Sequence, residues 1–322
     1  MRFDFRRTPV LATLIVCVLL YAVCAWQFQG FASVRVALDL LSENAYLGVI
    51  AVGMTFVILT GGIDLSVGAM AGLAGILGAH LMERKHMPPV AACALVLALG
   101  VALGWVQGAL VVRFKLAPFL VTLSGLFLCR GLALMVSQDA ISIHSATFKL
   151  WTDFAIRMPG GGKLPLVTLA FGLVLVLGIL IAKQTRFGRV VYAVGGNTPS
   201  AHLMGLPVNR TIVSVYALSG FCAALGGILY SIALASGNPI SGVGMELDVI
   251  AAVVIGGTLL SGGYGSVLGT FLGVLILGII QTAVTFQGSL NSWWTKIFIG
   301  TLLLAFILIQ KALERPTKTA TT

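Results

Sequence analysis

Charged residues are what this chain has least of. Asp, Glu, Lys and Arg make up 9% of its 322 residues, against roughly 25% in an ordinary soluble domain. Hydrophobic residues make up 58%, and the mean hydropathy is +1.05. So few charges cannot solvate a surface around such an apolar core, which excludes a soluble globular protein. The long, continuous apolar runs predict an all-α, polytopic membrane protein with a single transmembrane domain over residues 1–322.

Motifs for catalysis and for cofactors are missing as well. No G-x-x-x-x-G-K-[ST] loop occurs, so the chain is not predicted to bind ATP by that route. The five cysteines all lie in apolar runs, and no Cys/His cluster has metal-site spacing. No nucleophile stands in a recognisable pattern with a base. The sequence therefore predicts no catalytic residue, no metal site and no cofactor bound by this chain, and we do not expect an enzyme.

What the sequence does contain is a series of apolar runs of roughly 20 residues, the length that a membrane-spanning helix needs. Ten runs can be distinguished. The third and the eighth are the weakest, because each adjoins a glycine-rich break. The predicted spans are 10–28, 36–59, 64–82, 88–112, 116–136, 164–182, 211–235, 247–261, 265–286 and 293–313.

The distribution of basic residues predicts the orientation of these spans. Ten spans put both termini on one side, and basic residues favour the cytoplasmic side. With the N-terminus inside, twelve of the twenty basic residues are cytoplasmic and seven are external. This bias predicts cytoplasmic N- and C-termini. The cytoplasmic group includes Arg2, Arg6, Arg7, Arg113, Lys115, Lys183, Arg186, Arg189, Arg210, Lys311, Arg315 and Lys318.

The first run has an alternative interpretation. Its basic start and apolar centre also match a signal peptide, with Val23 and Ala25 as a loose cleavage site. A first transmembrane helix is the better interpretation, since nearly everything downstream is apolar too. The topology then makes residues 137–163 an external loop and residues 183–210 a cytoplasmic one, called the internal loop below.

Two glycine-rich breaks interrupt the apolar runs and share the pattern Gly-Gly-x-x-Leu-Ser, at Gly61–Ser66 and at Gly256–Ser261. Irregular backbone at membrane depth survives only where protein or a water-filled cavity satisfies it, and paired helix breaks in the two halves of a transporter indicate the substrate region. For Asp64, capping of the following helix and a role in a pathway remain equal alternatives. The predicted pathway residues are Asn44, Gly61, Gly62, Asp64, Ser66, Gly256, Gly257 and Thr258.

The internal loop contains the signals of a short helix. Asn197 or Thr198 is a suitable cap, Pro199 suits the first turn, and Gly205 suits the end. Four apolar residues are predicted to be exposed on this helix, which therefore needs a partner. Docking to a cytosolic protein is favoured over an amphipathic helix lying on the lipid surface. The four residues are Ala201, Leu203, Met204 and Leu206.

Other charged residues in the spans have weaker signals. Arg130 lies near the middle of a span and is predicted to pair with an acid or with main-chain carbonyls. Glu246 and Asp248 begin the eighth span, where they either contact a polyhydroxylated ligand or anchor the helix at the interface. A secondary transporter or channel acting alone would need more charged or ion-coordinating residues than these.

Several of these segments resemble the permeases of ribose/xylose-type sugar ATP-binding-cassette (ABC) importers. The likeness is carried by Ala51–Gly68, Thr185–Arg189, Ala193–Asn197, Glu246–Ala251 and Gly256–Thr258, and it extends over essentially the whole chain in the expected order. Three further segments are most similar to the permease subunits of galactofuranose importers. They are Phe31–Ser33, Pro159–Gly162 and Ser292–Lys296.

The resemblance implies partners that composition does not show. Cytosolic ABC ATPases would use the ATP and dock on the internal loop, a second, related permease subunit would complete the pathway, and a periplasmic sugar-binding protein would deliver the substrate. The chain would lie in the bacterial inner membrane. Branched-chain amino-acid permeases share this architecture, so the substrate is less firmly implied than the role. The residues implied in coupling to the ATPase are Gly195, Gly196, Asn197, Ala201 and Gly205.

Overall fold

The computed structural model describes residues 8–158, 161–288, 291 and 293–313. Within them the chain forms fourteen helices and four short strands. The helices are α1 (Thr8–Gln27), α2 (Val34–Glu43), α3 (Ala45–Leu59), α4 (Val67–Glu83), α5 (Pro89–Phe114), α6 (Pro118–Val136), α7 (Ala146–Asp153), α8 (Leu166–Gln184), α9 (Arg186–Gly196), α10 (Thr198–Leu203), α11 (Val208–Leu234), α12 (Met245–Ile255), α13 (Val267–Gln287) and α14 (Trp293–Leu313). The strands are β1 (Ile141–Ser142), β2 (Ala155–Arg157), β3 (Lys163–Pro165) and β4 (Ser236–Gly237).

Each predicted span contains a helix, but the helices differ in length. Six of the described helices are long and apolar enough to cross a membrane, namely α1, α5, α6, α8, α11 and α13. Helices α2 and α3 together make a seventh candidate, bent by 53°. The two spans that adjoin the glycine-rich breaks are shorter than predicted, because α4 begins only at Val67 and α12 ends already at Ile255. The count of ten crossings therefore stays a prediction.

Helix α11 lies at the centre of the bundle, and glycines let its neighbours approach closely. A side chain on Gly104 or Gly108 of α5 would collide with the α11 backbone at Tyr216 or Val213. Helix α3 approaches α11 in the same way, since Gly53 lies against Ser219 and Cys222. Glycines at four-residue spacing therefore form packing seams. Gly269 and Gly273 of α13 form another such seam against α12, whereas Gly265, at the same spacing, precedes the helix with φ of +150°.

The strands were not predicted from the sequence, and they lie within or next to residues 137–163, except for β4, which follows α11. β1 pairs antiparallel with β4, which joins residues 141–142 to the chain just after α11. β2 and β3 form a hairpin, Ala155–Pro165, of which residues 159 and 160 lie outside the described residues. With α7 between them, these strands give the predicted external loop an ordered structure.

Some residues used for the orientation and the resemblance also lie outside the described residues. At the N-terminus these are Arg2, Arg6 and Arg7, and near the C-terminus Arg315 and Lys318. Of the segments resembling galactofuranose permeases, Pro159, Gly160 and Ser292 lie outside as well.

Candidate functional site

The first break, residues 60–66, turns the chain between α3 and α4. Gly61 has φ of +80°, a conformation that side chains disfavour, and residues 62–64 are non-helical. Asp64 is 1% exposed. Its Oδ1 accepts hydrogen bonds from the main-chain N–H of Ser66 at 2.9 Å and from the Ser66 hydroxyl at 2.6 Å. Asp64 therefore holds the turn that leads into α4. The N-cap residue of α4 is Ser66, not Asp64.

The carboxylate of Asp64 also connects the first break to two other helices. The hydroxyl of Ser219 on α11 donates to its Oδ2 at 2.7 Å. Gln107 Nε2 on α5 donates to the Ser66 hydroxyl at 3.1 Å. No Lys, Arg or His among the described residues pairs with Asp64, so hydroxyl and amide donors alone satisfy it. Asp64, Ser66, Gln107 and Ser219 are called the Asp64 cluster below.

The Asp64 cluster lies deep within the bundle. Ser219 stands 11 residues after Val208, the first residue of α11, and 15 before Leu234, the last. At 1.5 Å per residue the cluster is about 16 Å along the helix from its start. Tyr216 is 1% exposed, and its hydroxyl is buried beside Gly62 without a hydrogen-bond partner among the described residues. The cluster is therefore a polar island at membrane depth, where ionisable groups mark functional sites by default.

Two members of the Asp64 cluster were missed by the sequence analysis. Gln107 is a lone amide within the apolar run of α5, a signal that was available. Ser219 carries no such signal, because serine is also common in transmembrane helices simply as a small residue that lets helices pack closely. Only the approach of α11 to the first break reveals its role.

The N-termini of α4 and α12 meet at similar depth. A side chain on Gly68, at the start of α4, would collide with the carbonyl of Gly242 and the carboxylate of Glu246, at the start of α12. Glu246 Oε1 accepts from the Gly244 N–H at 3.2 Å, and its Oε2 is buried without a hydrogen-bond partner among the described residues. A carboxylate at this end of a helix is stabilised by the helix dipole.

Arg130 fixes the chain that leads into α12. Its Nη1 donates to the carbonyls of Pro239 at 2.5 Å and Ser241 at 2.8 Å, which confirms the predicted pairing with main-chain carbonyls. These residues belong to the segment 236–244, called the outer segment below, which is non-helical and packs along α4 through Gly72 and Gly75. The carbonyls of Pro239 and Ser241, which no helix satisfies, thus accept hydrogen bonds from a cation at membrane depth.

The second break, residues 256–266, follows α12. Gly256 packs on Gly269 of α13 so closely that a side chain on either would overlap the other's backbone, and Gly257 has φ of +89°. The hydroxyl of Thr13 on α1 donates to the carbonyl of Ile255 at 2.9 Å, which satisfies one acceptor at the helix end. Thr258 is fully buried, and its hydroxyl has no hydrogen-bond partner among the described residues.

The two breaks contact each other and the internal loop at one point. The N–H of Gly263 donates to the carbonyl of Leu59 at 2.8 Å, and the carbonyl of Ser261 faces Gly61. Gly195, near the end of α9, fits between them, because a side chain there would overlap the Leu59 carbonyl and the Gly263 nitrogen. We call Leu59, Gly195 and Gly263 the three-way junction. It brings together three segments that the sequence analysis selected separately.

The internal loop contains the predicted short helix, α10, and also α9, which was not predicted. Asn197 caps α10 by accepting from the Ser200 N–H at 2.8 Å, and Gly205, with φ of +74°, ends the short helix. The expected exposure of Ala201 is wrong: it is fully buried, against Val194 and Val208, because α10 folds back onto α9 and α11. Leu206 is only partly exposed. Leu203 and Met204 are 88% and 67% exposed, and they form the apolar tip.

Asn44 is not brought to the Asp64 cluster. It lies at the bend between α2 and α3, where its Nδ2 donates to the carbonyl of Leu40 at 3.0 Å and contacts Gly278 of α13. Its place explains the bend, since the side chain satisfies a carbonyl that the interrupted helix releases. Asp248 lies apart as well, and it forms a bidentate ion pair with Lys296 of α14, with Nζ–Oδ1 at 2.7 Å.

Comparison with known proteins gives relatives along nearly the whole chain. Residues 36–307 match the family described as "Branched-chain amino acid transport system / permease component". The chain is 48% identical to the inner membrane ABC transporter permease protein YjfF of Escherichia coli (strain K12), covering 96% of this chain and 93% of the relative. It is 36% identical to the fructose import permease protein FruG of Bifidobacterium longum, covering 97% and 93%. It is 35% identical to the ribose import permease protein RbsC of Escherichia coli, covering 92% of each. No solved structure matches the chain.

Proposed function

Because the chain belongs to the permease-component family of branched-chain amino acid transport systems, with relatives among sugar ABC permeases, we propose that it is the membrane-spanning subunit of an ABC importer for a monosaccharide. The chain is a multi-pass inner-membrane protein. The energy for transport comes from separate ATPase subunits, and this chain moves the sugar across the membrane.

We propose galactofuranose as the sugar. The support is the likeness of residues 31–33, 159–162 and 292–296 to galactofuranose permeases. The names of two relatives specify other sugars, fructose and ribose, so the class of substrate is better supported than its identity. The family description favours a second candidate, a branched-chain amino acid. A ligand with many hydroxyl groups suits Glu246, since its Oε2 is an oxygen acceptor without a hydrogen-bond partner among the described residues.

The proposed assembly follows from the internal loop. Leu203 and Met204 supply an apolar tip for a cytosolic ATPase, and Gly195, Gly196, Asn197, Ala201 and Gly205 shape and anchor the loop behind it. A second, related permease completes the pathway, a periplasmic sugar-binding protein delivers the substrate, and ATP is bound by the partner ATPases alone.

The proposed topology has ten crossings with both termini in the cytoplasm. Helices α4 and α12 are short for a crossing, with 17 and 11 residues. Each is preceded by non-helical chain, residues 60–66 before α4 and residues 236–244 before α12. Extended chain rises about 3.3 Å per residue, so these segments supply the missing length. The whole chain then forms one permease domain, from which the internal loop projects.

One observation carries the proposal: the loop with the exposed apolar tip packs through Gly195 on Leu59, which directly precedes the first break, and on Gly263 of the second break. An ATPase that moves the tip therefore acts on the residues at membrane depth. Neither a transporter working alone nor a membrane enzyme explains this arrangement.

Uptake into reconstituted vesicles tests the proposal. The chain is reconstituted with the second permease and the ATPase subunits. Uptake of labelled galactofuranose, ribose, fructose and leucine is then measured with and without ATP and the binding protein. We expect uptake of a sugar only when all components are present. Uptake by the chain alone without ATP would refute the role, and uptake of leucine in place of sugars would favour the second candidate.

A further inference from the structure

A cavity of about 830 Å³ lies where the internal loop meets the membrane-spanning helices. Its walls come from the starts of α1 and α13, the end of α8, one face of α9 and the second break. In the proposed topology all of these elements lie at the cytoplasmic side. The cavity is separate from the Asp64 cluster, none of whose residues lines it.

One wall of the cavity is positively charged. Lys183 at the end of α8 and Arg189 on α9 both line it, and both are exposed. Neither forms an ion pair with a described residue, and Arg189 Nη1 makes only a long bond of 3.3 Å to the carbonyl of Gln184. The lining contains no Asp or Glu. Two neighbouring cations without a counter-charge attract an anion into this space.

Among the described residues, no acid on this side balances the charge. In the proposed topology every acid among the described residues lies at membrane depth or externally, whereas Arg113, Lys115, Lys183, Arg186, Arg189 and Arg210 are cytoplasmic. The described acids are Asp39, Glu43, Asp64, Glu83, Asp139, Asp153, Glu246 and Asp248.

The part of the lining that comes from α1 and α13 includes exposed apolar side chains. Leu11 and Leu14 of α1 are 56% and 43% exposed there, and Leu268 of α13 is 43% exposed. Helix α1 is a candidate membrane span, so these leucines continue into the lipid-facing surface. A free phosphate or a nucleotide would leave this wall without a partner, whereas an amphiphile would cover both walls.

We propose that the cavity binds an anionic phospholipid of the cytoplasmic leaflet. Its phosphate group contacts Lys183 and Arg189, and its acyl chains lie along Leu11 and Leu14. Only the choice of leaflet rests on the proposed topology; binding of the lipid rests on the charges and the apolar wall alone. Transport and lipid binding can therefore fail independently.

Native mass spectrometry of the delipidated full chain tests the proposal, with phosphatidylglycerol and phosphatidylcholine of equal chain length as probes. We expect tight binding of one phosphatidylglycerol and weak binding of phosphatidylcholine. In the double variant Lys183→Gln/Arg189→Gln the affinity for phosphatidylglycerol should fall roughly 10- to 30-fold, as expected for two basic residues at an anionic surface. The charge-conserving variant Lys183→Arg/Arg189→Lys should keep most of the affinity and shows that the site still folds.

The matched control is Arg113→Gln/Lys115→Gln, which removes two cations from the same side but outside the cavity. Its affinity should stay within about twofold of the unchanged chain. Equal losses in both double variants, or equal binding of the two lipids, would overturn the proposal. Displacement of the lipid by millimolar glycerol phosphate would assign the cavity to a free phosphate. A large gain in lipid affinity on removing residues 2–7 would show that the N-terminal segment is the occupant.

Discussion

The main-chain N–H of Gly263 donates a hydrogen bond of 2.8 Å to the carbonyl of Leu59, across 204 positions of sequence. Leu59 is the last residue of α3, and its carbonyl is one of those that a helix end leaves without an internal partner. The second break supplies that partner, and Gly195 packs over the same bond. The end of α3, the second break and the internal loop are thus joined by backbone atoms, which respond to displacement more directly than flexible side chains do.

Adding one methyl group at the three-way junction should uncouple the loop from the breaks. Gly195→Ala places a Cβ against the Leu59 carbonyl and the Gly263 nitrogen, so the backbone must shift, at a cost of about 1–3 kcal/mol. We expect uptake in vesicles to fall at least roughly tenfold, since 1.4 kcal/mol already corresponds to tenfold, while the ATPase still co-purifies. The control is Gly172→Ala on α8, because nothing lies within 4 Å of its Cβ. Equal uptake by the two variants would remove the junction from the mechanism.

The apolar tip should carry the affinity for the ATPase. Leu203→Ser/Met204→Ser removes two side chains that are 88% and 67% exposed, so the fold should be unaffected. Burying such side chains in an interface contributes about 1.5–3 kcal/mol each. We expect the dissociation constant for the ATPase, measured by biolayer interferometry, to rise at least roughly tenfold. The control is Leu150→Ser, at a residue 71% exposed on α7 in the external loop. An unchanged dissociation constant in the double variant would contradict docking at the tip.

Removing the carboxylate of Asp64 should destabilise the bundle. Asp64→Ala leaves the Ser66 N–H and the Ser219 hydroxyl without their acceptor in a buried place, at a cost of about 1–3 kcal/mol. Asp64→Asn should cost less, because its amide keeps one acceptor and Ser219 can accept from the new donor. Thermal unfolding in detergent, followed by a thiol-reactive dye on the buried Cys129 and Cys222, measures the order.

The control for Asp64 is Asp39→Ala, an exposed carboxylate paired with Arg35 at 3.6 Å. Exposed pairs contribute little, so the unfolding temperature should hardly change. A variant Asp64→Ala as stable as Asp39→Ala would show that the Asp64 cluster does not hold the first break in place.

Arg130 should hold the outer segment against α4. Arg130→Gln loses the charged bonds to the carbonyls of Pro239 and Ser241, each of about 1.5–3 kcal/mol. We expect amide hydrogen exchange in residues 236–244 to accelerate roughly tenfold or more, with Arg130→Lys intermediate because an ammonium group also donates to carbonyls but lacks the planar geometry in which Nη1 reaches both. Arg113→Gln is the control. Equal exchange rates in all variants would show that packing on Gly72 and Gly75 is enough to hold the outer segment against α4.

Much of the fold could be predicted because the bilayer imposes helix length and hydropathy on the chain. The runs at α5, α6 and α11 are long and continuous, and their helices begin and end within a few residues of the predictions. The end of α12 lies six residues before its predicted place, because the sequence does not separate the end of the helix from the irregular chain that follows it. Only glycines distinguish the two, and glycine also serves the packing seams.

The candidate site was predictable only in part. Gly61, Asp64 and Gly256 stand out in the sequence as breaks and a lone acid, but their neighbours come from elsewhere in the chain. Ser219 is 155 residues from Asp64, and the Gly195–Leu59 approach depends on how α9 folds back. The prediction that Ala201 is exposed was wrong for the same reason: its partners Val194 and Val208 lie in α9 and α11, and the sequence does not show how α10 packs on these two helices.

The crossings of α4 and α12 each have a non-helical part, and the two parts lie at opposite ends of the bundle: the chain before α4 at one end and the outer segment before α12 at the other. Along α11, the first break lies near Tyr216 and Ser219, whereas the chain at Gly237 follows the end of α11 and lies beside Gly75, which packs on Ser231. The crossing that contains α4 therefore lacks helical hydrogen bonds toward the start of α11, and the crossing that contains α12 lacks them toward the end of α11. Chain without a ladder bends at lower cost than helix. We therefore expect each side of the membrane to have one non-helical half of a crossing that bends easily. Either side can then open while the helical half of the other crossing stays rigid.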